Sequence, residues 1–226
     1  TPIAYYNFEG KSSAALDRSF NDNTATASGN ITFVDEGAPS GSSPSAAASM
    51  NGGHFRVPGI DMNSQIRDSG DGSYTMVAWI KPDSTDGERF IFGQTNQGIH
   101  NGIRNNAFLH QAHWGADTNG ATNLNDYDAS ANDGWVHAAF VYDGSADLGQ
   151  IYLDGVLDWE GGKRAPNGSG NLIVGGSNGG GDNFRGLVDE IAVWDIPASA
   201  DIIAALAGGA SPLEVGGPSA EDRKST

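Results

Sequence analysis

Apolar and polar positions along the chain exchange every one or two residues, and long helical stripes are scarce, so the pattern predicts short strands joined by turns. The most legible stretch is 134–157, GWVHAAFVYDGSADLGQIYLDGVL. Residues 135–142 form a run of aromatic, β-branched and small side chains, and Asp143-Gly144 opens a polar loop. Residues 150–154 then resume with Ile151 and Leu153 alternating against Gln150 and Tyr152. The Asp154-Gly155 pair predicts a type I′ turn into a further strand, because glycine accepts the positive φ that this turn requires.

The same reading places strands over 3–8, 24–35, 54–57 (closed by Pro58-Gly59), 73–80, 89–93, 107–114, 171–175 and 187–194. The segment 73–80, SYTMVAWI, is apolar on both faces and belongs in the middle of a sandwich. Residues 38–50, 94–106, 115–132 and 176–183 are rich in Gly, Ser, Ala or Asn and read as loops. One helix is predicted over 198–207, with Ser199 as its cap and Ile202, Ile203 and Leu206 as its apolar stripe. Periodicity stops beyond Gly208, and 219–226 read as disordered or as linker. The expectation is one domain over 1–212 and a flexible tail or linker over 213–226.

Composition narrows the class. At 226 residues the chain suits a single sandwich of roughly 200–250 residues. Its 38% hydrophobic content and 33 glycines fit a turn-rich all-β core. A net charge of −16, from 28 acidic and 12 basic residues, disfavours nucleic acid and anionic membrane surfaces as partners. No apolar run approaches a membrane span, so membrane insertion is not expected. Zero cysteines exclude disulfides and thiolate metal sites. The chain opens at Thr1-Pro2 without a signal-like segment, as a mature or trimmed product would.

Several constellations resemble chemistry and have blander explanations. Gly175-Gly176-Ser177-Asn178-Gly179 matches the G-x-S-x-G pattern, but a nucleophile elbow needs a helix after the serine, and more glycine follows. His110 and His113, three apart on a strand, point to opposite faces and cannot share an ion. Asp143, Ser145, Asp147 and Asp154 lack the sharp-turn glycine of a calcium loop, since Leu148 stands there. Asp189 and Glu190, with Asp195 at the strand end, fall on opposite faces by alternation and do not converge as an acid and a nucleophile.

The segments WVHAAFVYDGS…GQIYLDGVL and FRGLVDEIAVWDIPASADIIAAL resemble the laminin G-like, concanavalin A-like jelly-roll domains found in many secreted and cell-surface proteins, over residues 1 to 208. The resemblance implies an all-β fold, a two-sheet antiparallel jelly-roll sandwich with one short C-terminal helix. Residues 16–23 are similar to the family's Asp-Ser-Ser-Gly-Asn-Gly-Asn loop at Asp17, Ser19, Asn21 and Asn23, whereas Arg18, Phe20 and Asp22 depart from it. It also implies a structural calcium near the sandwich edge, with Asp17, Asn21 and Asn23, and further off Asp189 or Glu190, as ligands; an ion-free Asx-turn loop is the alternative.

The expected function is a non-catalytic glycan- or ligand-binding module of a larger secreted or cell-surface protein. A structural or adhesive protein-interaction domain is the alternative, and a polysaccharide-active enzyme comes third. Sugar binding needs an exposed aromatic platform beside amides and carboxylates. Trp114, Trp159 and Tyr127, with Gln111, Asn105 and Asn125, are the candidates, while Trp79, Trp135 and Trp194 read as core. The partner is then a glycan or a cell-surface or matrix protein.

Overall fold

The computed structural model describes residues 1–40, 45–67, 70–96 and 98–215. Along the chain run β1 (Ala4–Tyr6), β2 (Ala14–Ala15), β3 (Ala25–Ser28), β4 (Ile31–Val34), β5 (Ala47–Asn51), β6 (His54–Asp61), β7 (Tyr74–Pro82) and β8 (Arg89–Asn96). They are followed by β9 (His100–Arg104), β10 (Phe108–His113), β11 (Ala116–Asn123), β12 (Val136–Asp143), β13 (Leu148–Leu153), β14 (Val156–Gly162), β15 (Ser169–Val174), β16 (Arg185–Trp194) and the helix α1 (Ala200–Ala207). The first sheet has the order β14-β13-β12-β7-β16-β5-β4, with β1 also on β16, and the second β11-β10-β9-β8-β15-β6-β3-β2. The pairings between these strands are antiparallel, so the expected jelly-roll sandwich is the observed fold. No helix among the described residues is long and apolar enough to cross a membrane.

The central hairpin forms as its sequence requires. Phe140 faces Ile151 across β12 and β13, and the next turn has Asp154 at φ 47° and Gly155 at φ 79°, the two positive angles of a type I′ turn. Trp79, Phe140, Ile151, Leu153 and Val193 are all buried, as are Trp135 and Trp194. The core between the sheets is built from residues such as Phe55, Met76, Phe92, Phe140 and Ile191.

A second cluster lies on the outer side of the first sheet, where Ile203 and Leu206 of α1 cover Tyr5, Val77, Tyr152 and Trp194. Burying each of those helix side chains contributes about 1.5–3 kcal/mol. Ser199 caps the helix by accepting from the Ile202 amide. The helix α1 does not reach the outer side of the second sheet; there the loop over 176–183 packs against Gly93 of β8 and borders the cavity beside His100.

Four readings need correction. The predicted strand over 24–35 is two strands in different sheets, broken at Gly29, whose φ of 81° and close approach to the Gly52 carbonyl exclude a side chain. Residues 47–50, read as loop, form most of β5: 48–50 pair with β16, and Ala47, which pairs with Val34 of β4, packs beneath Trp79 and Trp135. Pro58-Gly59 lies inside β6 rather than ending it. The polar segments 94–106 and 115–132 contain β9 and β11, held by backbone pairing to β10, and β11 ends the sheet, where alternation of apolar residues is not required. Residues 216–226, which hold most of the expected tail, lie outside the described residues.

The two sheets are joined by a polar contact within the core. The Tyr74 hydroxyl, from β7, lies 2.8 Å from His113 Nε2 of β10. His113 Nδ1 is 2.6 Å from the Arg164 carbonyl, which can only accept, so Nε2 is the lone pair that receives the tyrosine proton. The Tyr74 oxygen in turn accepts from Asn101 Nδ2 of β9 at 3.3 Å and from Gln111 Nε2 of β10 at 3.1 Å. Tyr74→Phe leaves these buried groups short of a partner and is expected to cost about 1–3 kcal/mol. A urea-denaturation midpoint indistinguishable from wild type would contradict that expectation.

Candidate functional site

The open face of the second sheet carries the most complete set of chemical groups. Pairing of Ile99 with His113 and of Gly102 with His110 puts His100 opposite Ala112, which in turn pairs with Asp117 of β11. Because Ala112 offers only a methyl group, His100 Nε2 reaches to 3.5 Å from Asp117 Oδ1. His110 stands beside them, its ring 5.7 Å from that of His100, and both rings lie against Phe90. Arg104 ties the cluster down: Nη1 donates to Asp117 Oδ2 at 2.7 Å, and Nε lies 2.7 Å from Glu88 Oε1.

Trp114 follows directly after β10 and is 51% exposed. Its amide donates to the Gly98 carbonyl, and its own carbonyl accepts from Arg164 and from Asn167 Nδ2. The backbone is thus held from behind while the indole projects, its ring 6.3 Å from His100. Beneath it lies a cavity of about 260 Å³ lined by Glu88, Phe90, His100, Arg104, Asn178 and Asp182 together with the tryptophan. An apolar ring above carboxylate, guanidinium and amide groups suits a polyhydroxylated ligand, whose C–H face stacks while its hydroxyls find partners.

The residues expected to form a sugar site do not come together. Gln111 is fully buried and spends its amide on Tyr74 and the Val141 carbonyl, so it serves the core and cannot touch a ligand. Alternation along β10 causes this: Gln111 and His113 point inwards, which turns His110 outwards. Asn105 is exposed in the β9–β10 turn at φ 52°. Asn125 and Tyr127 line a different cavity of about 350 Å³ with Thr85; there Asn125 accepts from Thr85 Oγ1 and Tyr127 donates to Asp154. Trp159 packs on the core with Lys163 Nζ 5.6 Å from its ring. Of the six, Trp114 alone borders the open-face cavity. His100, Arg104, Glu88 and Asp117 were missed because Asn- and Gly-rich surroundings conceal the alternation of β9 and β11.

The expected calcium ligands fall into two places on either side of Tyr5. Asp17 accepts from the amides of Tyr5, Ser19 and Asn23 at 2.8–3.0 Å. Asn21 donates to the Pro2 carbonyl and Ser19 Oγ, and Asn23 to the Ile3 carbonyl. Phe20 and Asp22 replace the family's glycines yet keep their turns, at φ 67° and 60°. With its carboxylate committed to three backbone amides, this loop is closed by hydrogen bonds and fits an ion poorly.

Asp189 and Glu190 behave differently from the alternation rule. A bulge in β16, with Glu190 at φ 50°, lets both carboxylates reach one segment: Asp189 accepts from the Ala38 amide, and Glu190 from Ser40 Oγ and from Tyr5 Oη. Both are buried. Burial first, and then the charge of Glu190, push the Asp189 carboxyl up to about 8. An oxygen-only donor set carrying this electrostatic cost fits a hard cation such as calcium.

Elsewhere, Ser177 is buried in a turn closed by its bonds with Gly180 and Gly181, and the strand β16 follows rather than a helix, so the nucleophile-elbow reading has no support.

The two antiparallel sheets define a concanavalin A-like jelly-roll sandwich. Residues 50–204 match the Laminin_G_3 profile, described as the concanavalin A-like lectin/glucanases superfamily, and the chain belongs to that family. No curated protein matches it. Among solved structures it is similar to domain 4 of an extracellular arabinanase from Geobacillus stearothermophilus, in complex with arabinotriose, at 21% identity and TM-score 0.65 over 92% of this chain and 98% of that one. It is also similar to the binding domain of Paraclostridial Mosquitocidal Protein 1, at 14% identity and TM-score 0.64 over 91% of this chain and 51% of that one. The binding domain of botulinum neurotoxin DC in complex with SialylT matches at 15% identity and TM-score 0.58, over 92% and 50%. The chain therefore spans about half the length of those toxin domains. These likenesses establish the fold.

The buried ionisable groups make stability depend on pH. Burial lowers His113 and His137 to about 3 and His110 to about 4, so the folded chain refuses three protons that the unfolded chain accepts below about 6.5. Asp189 acts in the opposite sense, since the folded chain keeps its proton up to about 8 whereas the unfolded chain loses it near 4. Between about pH 4 and 6.5 the net difference is two protons, and stability should fall on acidification by up to about 2.7 kcal/mol per pH unit. Above about pH 7 Asp189 lowers stability as the pH rises, while Lys163, which burial lowers to about 8, raises it, so the two offset each other and stability should level off towards pH 8. Urea midpoints should rise from pH 4.5 to about 7 and change little from there to pH 8, and a flat profile between about 4.5 and 7 would contradict these shifts.

Proposed function

We propose that the chain is a non-catalytic glycan-binding module of a secreted or cell-surface protein, and that it holds its sugar against Trp114. The observation that carries this reading is a half-exposed indole clamped through its backbone over a polar cavity on the sheet face that no helix covers. The likeness to an arabinanase domain solved with arabinotriose supports a sugar ligand. A non-catalytic role is supported by Glu88 and Asp117, which share the Arg104 guanidinium instead of standing as a proton donor opposite a free base. On a glycan array the chain should bind a defined set of oligosaccharides. Trp114→Ala should weaken that binding at least tenfold, about 1.4 kcal/mol, while Tyr127→Phe should leave it intact. An array without hits, or equal binding by Trp114→Ala, would favour a structural or adhesive protein-interaction domain. Release of reducing ends from a polysaccharide would favour an enzyme.

A second reading concerns calcium. Buried, mutually repelling Asp189 and Glu190 favour a structural calcium held by that pair together with backbone carbonyls, in preference to the Asp17 loop. An ion that binds only the folded chain stabilises it by about 2.7 kcal/mol at a hundredfold excess over Kd. Calcium should therefore raise the melting temperature. Asp189→Asn should abolish that rise and Asp17→Asn should not; a calcium response unchanged in Asp189→Asn would exclude this pair.

A further inference from the structure

We propose that His100, His110 and Asp117 bind a divalent transition-metal ion of the zinc type on the open face of the second sheet. One ligand atom from each lies within 4.8 Å of the other two. Hydrogen bonding fixes both tautomers. His100 Nδ1 is 2.8 Å from the Gly98 carbonyl and His110 Nδ1 is 2.7 Å from Asn119 Oδ1, and because these oxygens only accept, both rings carry their proton on Nδ1. Both Nε2 atoms therefore present lone pairs, the state in which a second-shell acceptor orients a metal-bound imidazole.

His110 Nε2 has no hydrogen-bond partner among the described residues, in a side chain that is 1% exposed. Leaving a buried acceptor unsatisfied is costly, and the atom faces two further acceptors. Asp117 is oriented in the same way: Arg104 holds Oδ2 and leaves Oδ1 towards His100, while Glu88 on the other side of the guanidinium offsets its charge. Two imidazole lone pairs and a carboxylate oxygen facing one another form a donor set for a cation.

Geometry and ligand type select the ion. Tetrahedral zinc, with bonds of about 2.0–2.1 Å, sets its ligand atoms roughly 3.4 Å apart. His100 Nε2 and Asp117 Oδ1 already stand at 3.5 Å, and the third atom must close by about an ångström or slightly more. Two nitrogens among three ligands disfavour calcium and magnesium, which take oxygen, and suit zinc, cobalt or nickel. Three protein ligands leave a fourth position. His100 lines the cavity under Trp114, so that position takes water or a ligand oxygen from the cavity.

The test uses the full chain, stripped with chelator and titrated with Co²⁺ in the absence of sugar, so that its result stands apart from the glycan reading. The expected result is one equivalent bound, with the visible absorption of a four-coordinate site, displaced by Zn²⁺. His100→Gln and Asp117→Asn should each weaken binding at least tenfold and lose the band, with little change in metal-free melting temperature, and Asp189→Asn should bind like wild type. Imidazole ¹⁵N resonances of the wild-type chain provide a readout that needs no variant: Nε2 of His100 and His110 should shift on adding Zn²⁺, and Nε2 of His113 should not. No binding up to about 100 µM metal, a weak affinity by the usual scale, would overturn the proposal. So would a band that persists in both variants, or one lost only in Asp189→Asn.

Discussion

The Tyr74 hydroxyl stands between the sheets with one proton and two lone pairs, and all three are used. It belongs to β7 of the first sheet, and its partners Asn101, Gln111 and His113 come from β9 and β10 of the second. This contact does more than join two layers. In a strand, successive side chains point to opposite faces, so turning Gln111 and His113 inwards obliges His110 and Ala112 to face outwards. A slip of one residue would bury His110 against Tyr74 and expose Gln111, which the geometry of the hydroxyl forbids. The register of the open face is thus written in the core.

The faces of the two sheets are treated differently, and the candidate site follows from that. On the first sheet, α1 covers Tyr152 and Trp194, while Trp79 and Trp135 close the region beside Val34 and Leu187. The second sheet instead carries short, polar or missing side chains where its strands meet. Gly102 is obligatory on that sheet, since a Cβ there would fall 2.4 Å from the Arg89 carbonyl and 2.5 Å from Phe90 Cα. Ala112 leaves the space through which His100 approaches Asp117. Small residues here bring large ones from neighbouring strands together, and the result is a concentration of imidazole, carboxylate and guanidinium groups beside an exposed indole.

The price of such a surface is buried polarity. Buried histidines and the Asp189 carboxyl at the bulge each bind protons differently in the folded and unfolded chains. They make stability depend on pH. The Asp17 loop, by contrast, satisfies its carboxylate with backbone amides and accepts positive φ at Phe20 and Asp22, a local strain that the surrounding hydrogen bonds hold in place.

What could be read along the chain was whatever depends on neighbours in sequence. The Asp154-Gly155 turn, the hairpin over β12 and β13, the doubly apolar β7 and the Ser199-capped helix all follow from residues within one or two turns of each other, and so did the sandwich class. Trp114 could be named as a candidate alongside Trp159 and Tyr127, but which of them stands exposed at the cavity was decided by the tertiary structure. The strands β5, β9 and β11 were not legible, since small or polar side chains carry no apolar period and their place is set by backbone pairing to distant strands. Nor could the sequence bring His100 and Asp117 to His110, or bring Asp189 and Glu190 to one segment. The first depends on the register of three strands, and the second on a bulge that breaks the alternation of faces; both are fixed only when the sheets assemble.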